Sequence, residues 1–157
     1  MDLRKFALVA AMLSISTGLL AADSSFWGTW KQNNAKSKIT RGEPEPSRII
    51  VLAPYQGDQG WTRVTLTLNK QGAWVEEHYS ALFDGKDYPS LGNDPRLVFL
   101  KRVNANAVEV NFKRNGKVTT NSRVEVSKDG KTLTQTASGI SGDGQRYEND
   151  IRVYDRQ

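Results

Sequence analysis

This 157-residue chain has one histidine, no cysteine and 17 carboxylate side chains, and those counts exclude most bond-making chemistry. His78 stands alone, so a multi-histidine metal site cannot be built, and without cysteine there is no thiol nucleophile or thiolate ligand. A serine nucleophile would have to draw on His78, and no G-x-S-x-G motif accompanies it. Glu76 and Glu77 are adjacent, so on a strand they face opposite sides and do not act as a carboxylate pair. Asp84, Asp87 and Asp94 share one loop region but lack the spacing of a calcium loop. The groups that remain suit binding. Arg152 and Tyr154 are two apart, which puts them on one side of a strand, opposite Ile151 and Val153. A guanidinium offers permanent charge and planar paired donors, and a phenol adds a hydroxyl. Facing inward, the pair would hold an anion. Facing outward, it would leave Ile151 and Val153 to fill the core, which is what alternation alone favours.

Those side chains must be placed by strands. Period-2 alternation sets Val64, Leu66 and Leu68 against Arg63, Thr65 and Thr67, and Val108, Val110 and Phe112 against Glu109, Asn111 and Lys113. It also sets Val124 and Val126 against Arg123 and Glu125. Asp84-Gly85, Asn115-Gly116, Asp129-Gly130 and Asp143-Gly144 are hairpin signals, in which both turn positions require positive φ. Strands are expected near 26–31, 47–53, 61–69, 73–83, 96–103, 107–114, 117–127, 131–138 and 145–155. No segment after the first 22 residues shows a helical period. The stretch from Ala35 to Ser47, with Gly42, Pro44 and Pro46, reads as an extended loop. Nine strands on short turns leave a sandwich or an up-and-down barrel of about eight to ten strands. The barrel is preferred because closure removes exposed edges. Trp27, Trp30, Trp61 and Trp74 are expected to serve chiefly as core or barrel plug.

Residues 1–22 read as an export signal: Arg4 and Lys5 precede an apolar run from Phe6 to Leu20, and small residues, Ala21 and Ala22, precede Asp23. About 15 apolar residues fall short of the ~20 that span a bilayer, and a lipid-anchored cysteine is ruled out. Residues 23–157 then form one barrel domain. The signal carries Arg4 and Lys5 against Asp2, so its removal lowers the formal +5 to about +4. The basic residues are scattered, without the clusters that bind nucleic acid or membranes.

Gly28-Thr29-Trp30-Lys31 resembles the first strand of the intracellular fatty-acid-binding proteins and the G-x-W signature of their calycin relatives, the lipocalins. Arg152-Val153-Tyr154 resembles the Arg-x-Tyr of the last strand of fatty-acid-binding proteins. Gly116 to Arg123 is similar to the strand that supplies that family's second carboxylate-binding arginine. The resemblance implies a calycin barrel with Gly28 and Trp30 as its structural signature, Trp30 packing across the closed bottom, and Arg123, Arg152 and Tyr154 as an anion clamp in the lumen. It departs from that family in export and in the proline-containing loop where the helical lid would be. The chain also resembles a group of small exported bacterial proteins carrying GTWK-x-N-x-x-KSK and DGKDYP. Asp84 to Pro89, with Gly92 and Asn93, is read as a polar turn at the barrel mouth.

The expected protein is thus an exported, periplasmic or secreted barrel that binds a small hydrophobic or fatty-acid-like ligand. It needs no cofactor, has no integral membrane segment in the mature chain, and is not an enzyme. The rival is an envelope or secreted interaction module or inhibitor acting through its surface. A barrel enzyme using His78 is a third and weaker alternative.

Overall fold

Ten strands, each hydrogen-bonded antiparallel to its neighbours in sequence, run up and down around one axis, and the last pairs with the first. The structure is a computed structural model and describes residues 25–92 and 95–157; the expected signal segment lies outside the described residues. The strands are β1 (Gly28–Gln32), β2 (Ser47–Tyr55), β3 (Gly60–Leu68), β4 (Trp74–Leu82), β5 (Tyr88–Gly92), β6 (Arg96–Asn104), β7 (Ala107–Arg114), β8 (Lys117–Val126), β9 (Thr132–Ile140) and β10 (Arg146–Arg156). They form a single closed barrel, and the described residues contain no helix.

Nine strands were expected and ten are present. The additional one, β5, occupies part of the segment read as a turn. Of its five residues only Ser90 is buried, while Leu91 is exposed, so no apolar alternation marks it. The turn before it also sits at the opposite end from the one expected. The Gly85 amide donates to the Leu100 carbonyl, and Phe83 packs edge-on to Trp61, which places Asp84-Gly85 on the closed side of the barrel.

The turns divide by chemistry. Asn115 (φ 49°) and Gly116 (φ 74°) both take the left-handed conformation, as a two-residue hairpin turn requires. In the Asp-Gly turns only the glycine does so. There the aspartate carboxylate accepts from the amide two residues on: Asp84 from Lys86, Asp129 from Lys131 and Asp143 from Gln145.

The closed end is an aromatic plug. Phe26, Trp30 and Trp61 are fully buried, and Trp61 stands between Phe26 and Phe83 with ring centroids 5.6 Å from each in edge-to-face contact. Trp30 donates its Nε1–H to the Phe26 carbonyl at 2.9 Å, and the Arg156 guanidinium lies 4.2 Å from its ring centre. Gly28 (φ 135°) lets the chain turn into β1 beneath that guanidinium, where a Cβ would stand 2.9 Å from Arg156 Nη1. Two of the four tryptophans, Trp30 and Trp61, belong to this plug, whereas Trp74 is exposed on the outer surface.

Replacing Trp30 with Ala should cost about 3–5 kcal/mol, the usual range for a buried large aromatic. Denaturant unfolding followed by far-ultraviolet circular dichroism measures it. A variant as stable as the parent would mean the plug contributes nothing to closure.

Candidate functional site

Above the plug the lumen opens into a cavity of about 540 Å³ whose two walls differ in kind. One wall, from β7 round to β9, sets Phe112, Val118, Ala137 and Ile140 among polar residues that include Thr119, Thr120 and Gln135. The other is basic. β2 contributes Arg48, β3 Arg63, β6 Arg96 and β10 Arg152, all lining the same space.

Strand phase explains how these arginines come to be inside. On β3 the polar set Arg63, Thr65 and Thr67 is buried, and Val64, Leu66 and Leu68 take the less buried outer positions. On β10 a bulge between Tyr147 and Asp150 inserts a residue, with Asn149 at φ 55° absorbing the turn. Tyr147 is buried before the bulge, and Asp150, Arg152 and Tyr154 after it. Without that residue, strict alternation from Tyr147 would have put Ile151 and Val153 inside.

The expected three-residue clamp is not assembled. Arg152 and Tyr154 face the lumen, but Arg123 does not. Burial of Ser122, Val124 and Val126 sets the phase of β8, so Arg123 faces outward and pairs with Glu125 at 2.9 Å. Arg152 is also already matched. Its Nη1 donates to Glu45 Oε2 at 2.8 Å and its Nη2 to Glu45 Oε1 at 3.3 Å, and Gln32 accepts from it as well. Glu45 comes from the loop between β1 and β2. That loop runs beside β10, with Lys38 exchanging backbone bonds with Ile151 and Thr40 and Arg41 held by the buried Asp150. Burial would raise the carboxyl pKa of Glu45, but Arg152 and Arg48 outweigh it and hold it below the ordinary value.

The other guanidiniums are served unequally. Arg96 donates to Glu77 at 2.5 Å and stacks 4.1 Å from the Phe112 ring centre. Burial works against the charge of Arg48, yet Tyr154, Glu45 and Glu77 together raise its pKa. Arg63 is only 4% exposed and meets neutral groups alone: Thr65 Oγ1 at 3.2 Å and Gln135 Oε1 at 3.1 Å. Close by, the buried Tyr79 hydroxyl faces Arg63 and Trp61 Nε1 and the buried Tyr154 hydroxyl faces Arg48, each contact falling short of full hydrogen-bond geometry. Glu77 does face away from Glu76, as adjacent strand residues must. Glu76 lies outside, 2.9 Å from His78 Nδ1 on the exposed surface.

Arg48, Arg63, Arg96, Glu45 and Glu77 were therefore not singled out from sequence as lumen residues. One signal for Arg63 was available: the polar face of β3 carries threonines, compact hydroxyls that can satisfy an arginine, and no lysine or glutamate of the kind that usually faces water.

No family model and no curated protein matches this chain. Among solved structures it is similar to the crystal structure of Rv2717c from M. tuberculosis, with a TM-score of 0.53 over 85% of this chain and 94% of that one, at 13% identity. That likeness is one of fold. No helix among the described residues is long and apolar enough to cross a membrane.

Because its folded pKa is lowered, Glu45 contributes stability above the ordinary glutamate value of 4.5 and loses it as pH falls through the folded value. Glu45→Gln should cost about 1–2 kcal/mol at pH 7, the worth of a charge-assisted pair discounted for partial exposure. The same variant should also flatten the acid side of the stability profile. Urea unfolding of parent and variant across the acid range tests both, and parallel profiles would refute the linkage.

Proposed function

We propose that this protein is an exported, calycin-like barrel that binds a small amphipathic anion of fatty-acid-like chemistry in its lumen and is not an enzyme. The observation that carries this reading is the charge inside the cavity. Among the described residues, six arginines and Lys117 line the cavity, and the carboxylates that meet lining arginines are Glu45, Glu77 and Asp150, none of them on the buried Arg63. Buried cationic charge in such excess is costly unless an anion compensates it. The apolar residues of the opposite wall offer a surface for a hydrocarbon chain, and the Arg63 guanidinium suits oxygen acceptors. The calycin reading draws on the Gly28 and Trp30 signature at the plugged end and on β10 lying beside β1. The position of His78 on the outer surface, away from the cavity, accords with a binding role.

The test compares a fluorescent fatty acid, dansylaminoundecanoic acid, with its alcohol. The acid should bind at least about ten-fold more tightly, since charge-assisted hydrogen bonds are worth roughly 1.5–3 kcal/mol each. Equal affinity would overturn the reading. Export has its own check: N-terminal sequencing of protein recovered from outside the cytoplasm should begin at or close to Asp23, and an uncleaved membrane-bound form as the main species would refute it.

A further inference from the structure

We propose that the anionic head group of the ligand sits at the floor of the lumen on Arg63, with its hydrocarbon tail rising along the apolar residues of the opposite wall to the mouth. The inference rests on the binding function proposed above and assigns the head group to a residue outside the Arg152–Tyr154 pair.

Elimination begins it. The Arg152 guanidinium is held by both oxygens of Glu45, and Arg96 is paired with Glu77. Arg48 lies 3.8 Å from Glu45 and donates to Thr67. Arg63 is the most buried of the four, and its partners, Thr65 and Gln135, are neutral. Two of its Nη protons or more remain for another acceptor, because a guanidinium carries five N–H donors and these contacts use Nε and one on Nη2.

The neighbours of Arg63 give the second, independent observation. Tyr79 sits directly across from Arg63 in the β3–β4 register, and Trp61 lies two residues below it on the same face of β3. The Tyr79 hydroxyl is buried beside Arg63 and Trp61, whose N–H groups both point to its oxygen from just beyond full hydrogen-bond geometry. Trp61 Nε1 can only donate, and the acceptor it points to is the Tyr79 oxygen. Arg63 lines the cavity with Nη protons to spare, and the Tyr79 hydroxyl stands behind it with its own proton unplaced, so an oxyanion seated on Arg63 would be backed by the phenol. Burial raises the pKa of Tyr79 against the pull of Arg63, which keeps the phenol protonated and able to donate. From that floor, Phe112, Ala137, Val118 and Ile140 line a path to the rim. A carboxylate on an alkyl chain, entering head first, fits both ends.

Titration of the same fluorescent acid and alcohol against parent, Arg63→Leu, Tyr79→Phe and Arg123→Leu tests this. Arg63→Leu should lose at least about ten-fold in affinity for the acid and leave the alcohol unchanged, erasing the preference. Tyr79→Phe, which removes only an oxygen, should lose about three-fold or more for the acid alone, and Arg123→Leu on the outer face should match the parent. Without ligand, Arg63→Leu should melt at or above the parent temperature, because it removes an uncompensated buried charge. If the parent prefers the acid and Arg63→Leu keeps that preference, the floor seat is wrong while the lumen function stands. A ligand-free Arg63→Leu that melts well below the parent would make Arg63 a structural group and overturn the seat. A parent with no preference refutes the function and the seat together.

Discussion

The ion pair between Glu45 and Arg152 ties the closure of this barrel to the chemistry of its interior. β1 is five residues long and pairs with β10 only from Trp30 to Gln32. Above that point the seam would be an open edge, with unpaired backbone groups of β10 facing water. The loop after β1 covers it. Asn33 donates to the Val153 carbonyl, Lys38 exchanges two bonds with Ile151, and Thr40 and Arg41 anchor on Asp150. The chain then returns to β2 by way of Glu45, whose carboxylate reaches the guanidinium on β10. A family resemblance built on the two ends of the sequence placed a ligand carboxylate at Arg152; the loop fills that position with a carboxylate of its own. One contact therefore completes the seam, neutralises one lumen arginine, and leaves Arg63 as the fully buried cation with only neutral partners.

Much of the scaffold was legible in the sequence, and the reason is that turn chemistry and apolar alternation act locally. Val108, Val110 and Phe112 on β7, and Val124 and Val126 on β8, point inward as their pattern requires. Asn115-Gly116 makes the turn its residue types demand. Strand β5 escaped because Tyr88-Pro89-Ser90-Leu91-Gly92 buries a serine and exposes a leucine; its place is set by β4 and β6 on either side, which no local pattern encodes. The Pro-containing loop was seen as a loop, but its docking along β10 depends on contacts more than a hundred residues away in the chain, such as Thr40 with Asp150.

The site was harder to read than the scaffold, and strand phase is the cause. On β10 one bulge decides which of two alternating sets faces inward. The bulge residues Glu148 and Asn149 carry no signal stronger than the tolerance of asparagine for positive φ. On β3 the ordinary rule fails outright, because a cavity and not a packed core lies behind Arg63, Thr65 and Thr67. Alternation identifies two faces and is silent about which is wet. Arg123 shows the converse. Its position on β8 matched a family pattern, yet Val124 and Val126, alternating with it, had already committed that strand to an apolar interior.

A lumen of this kind divides the barrel into a tightly packed half and a half lined by polar and charged groups. The plug of Phe26, Trp30, Trp61 and Phe83 removes large apolar surfaces from water and needs no partner beyond the fold. The upper half does the reverse: it gathers arginines, the carboxylates of Glu45 and Glu77 and buried polar atoms in a partly enclosed space, where each unpaired group costs more than it would in water. Packing these positions with leucine and valine would make a more stable barrel, since well-packed apolar groups commonly outdo buried ion pairs. Trp61 marks the boundary. Its ring belongs to the plug, and it lies two residues from Arg63 on the same face of β3, with its N–H toward the Tyr79 oxygen. On the function proposed above, the closed end supplies both the rigidity of the barrel and the support beneath Arg63, so that group is held in place by the core.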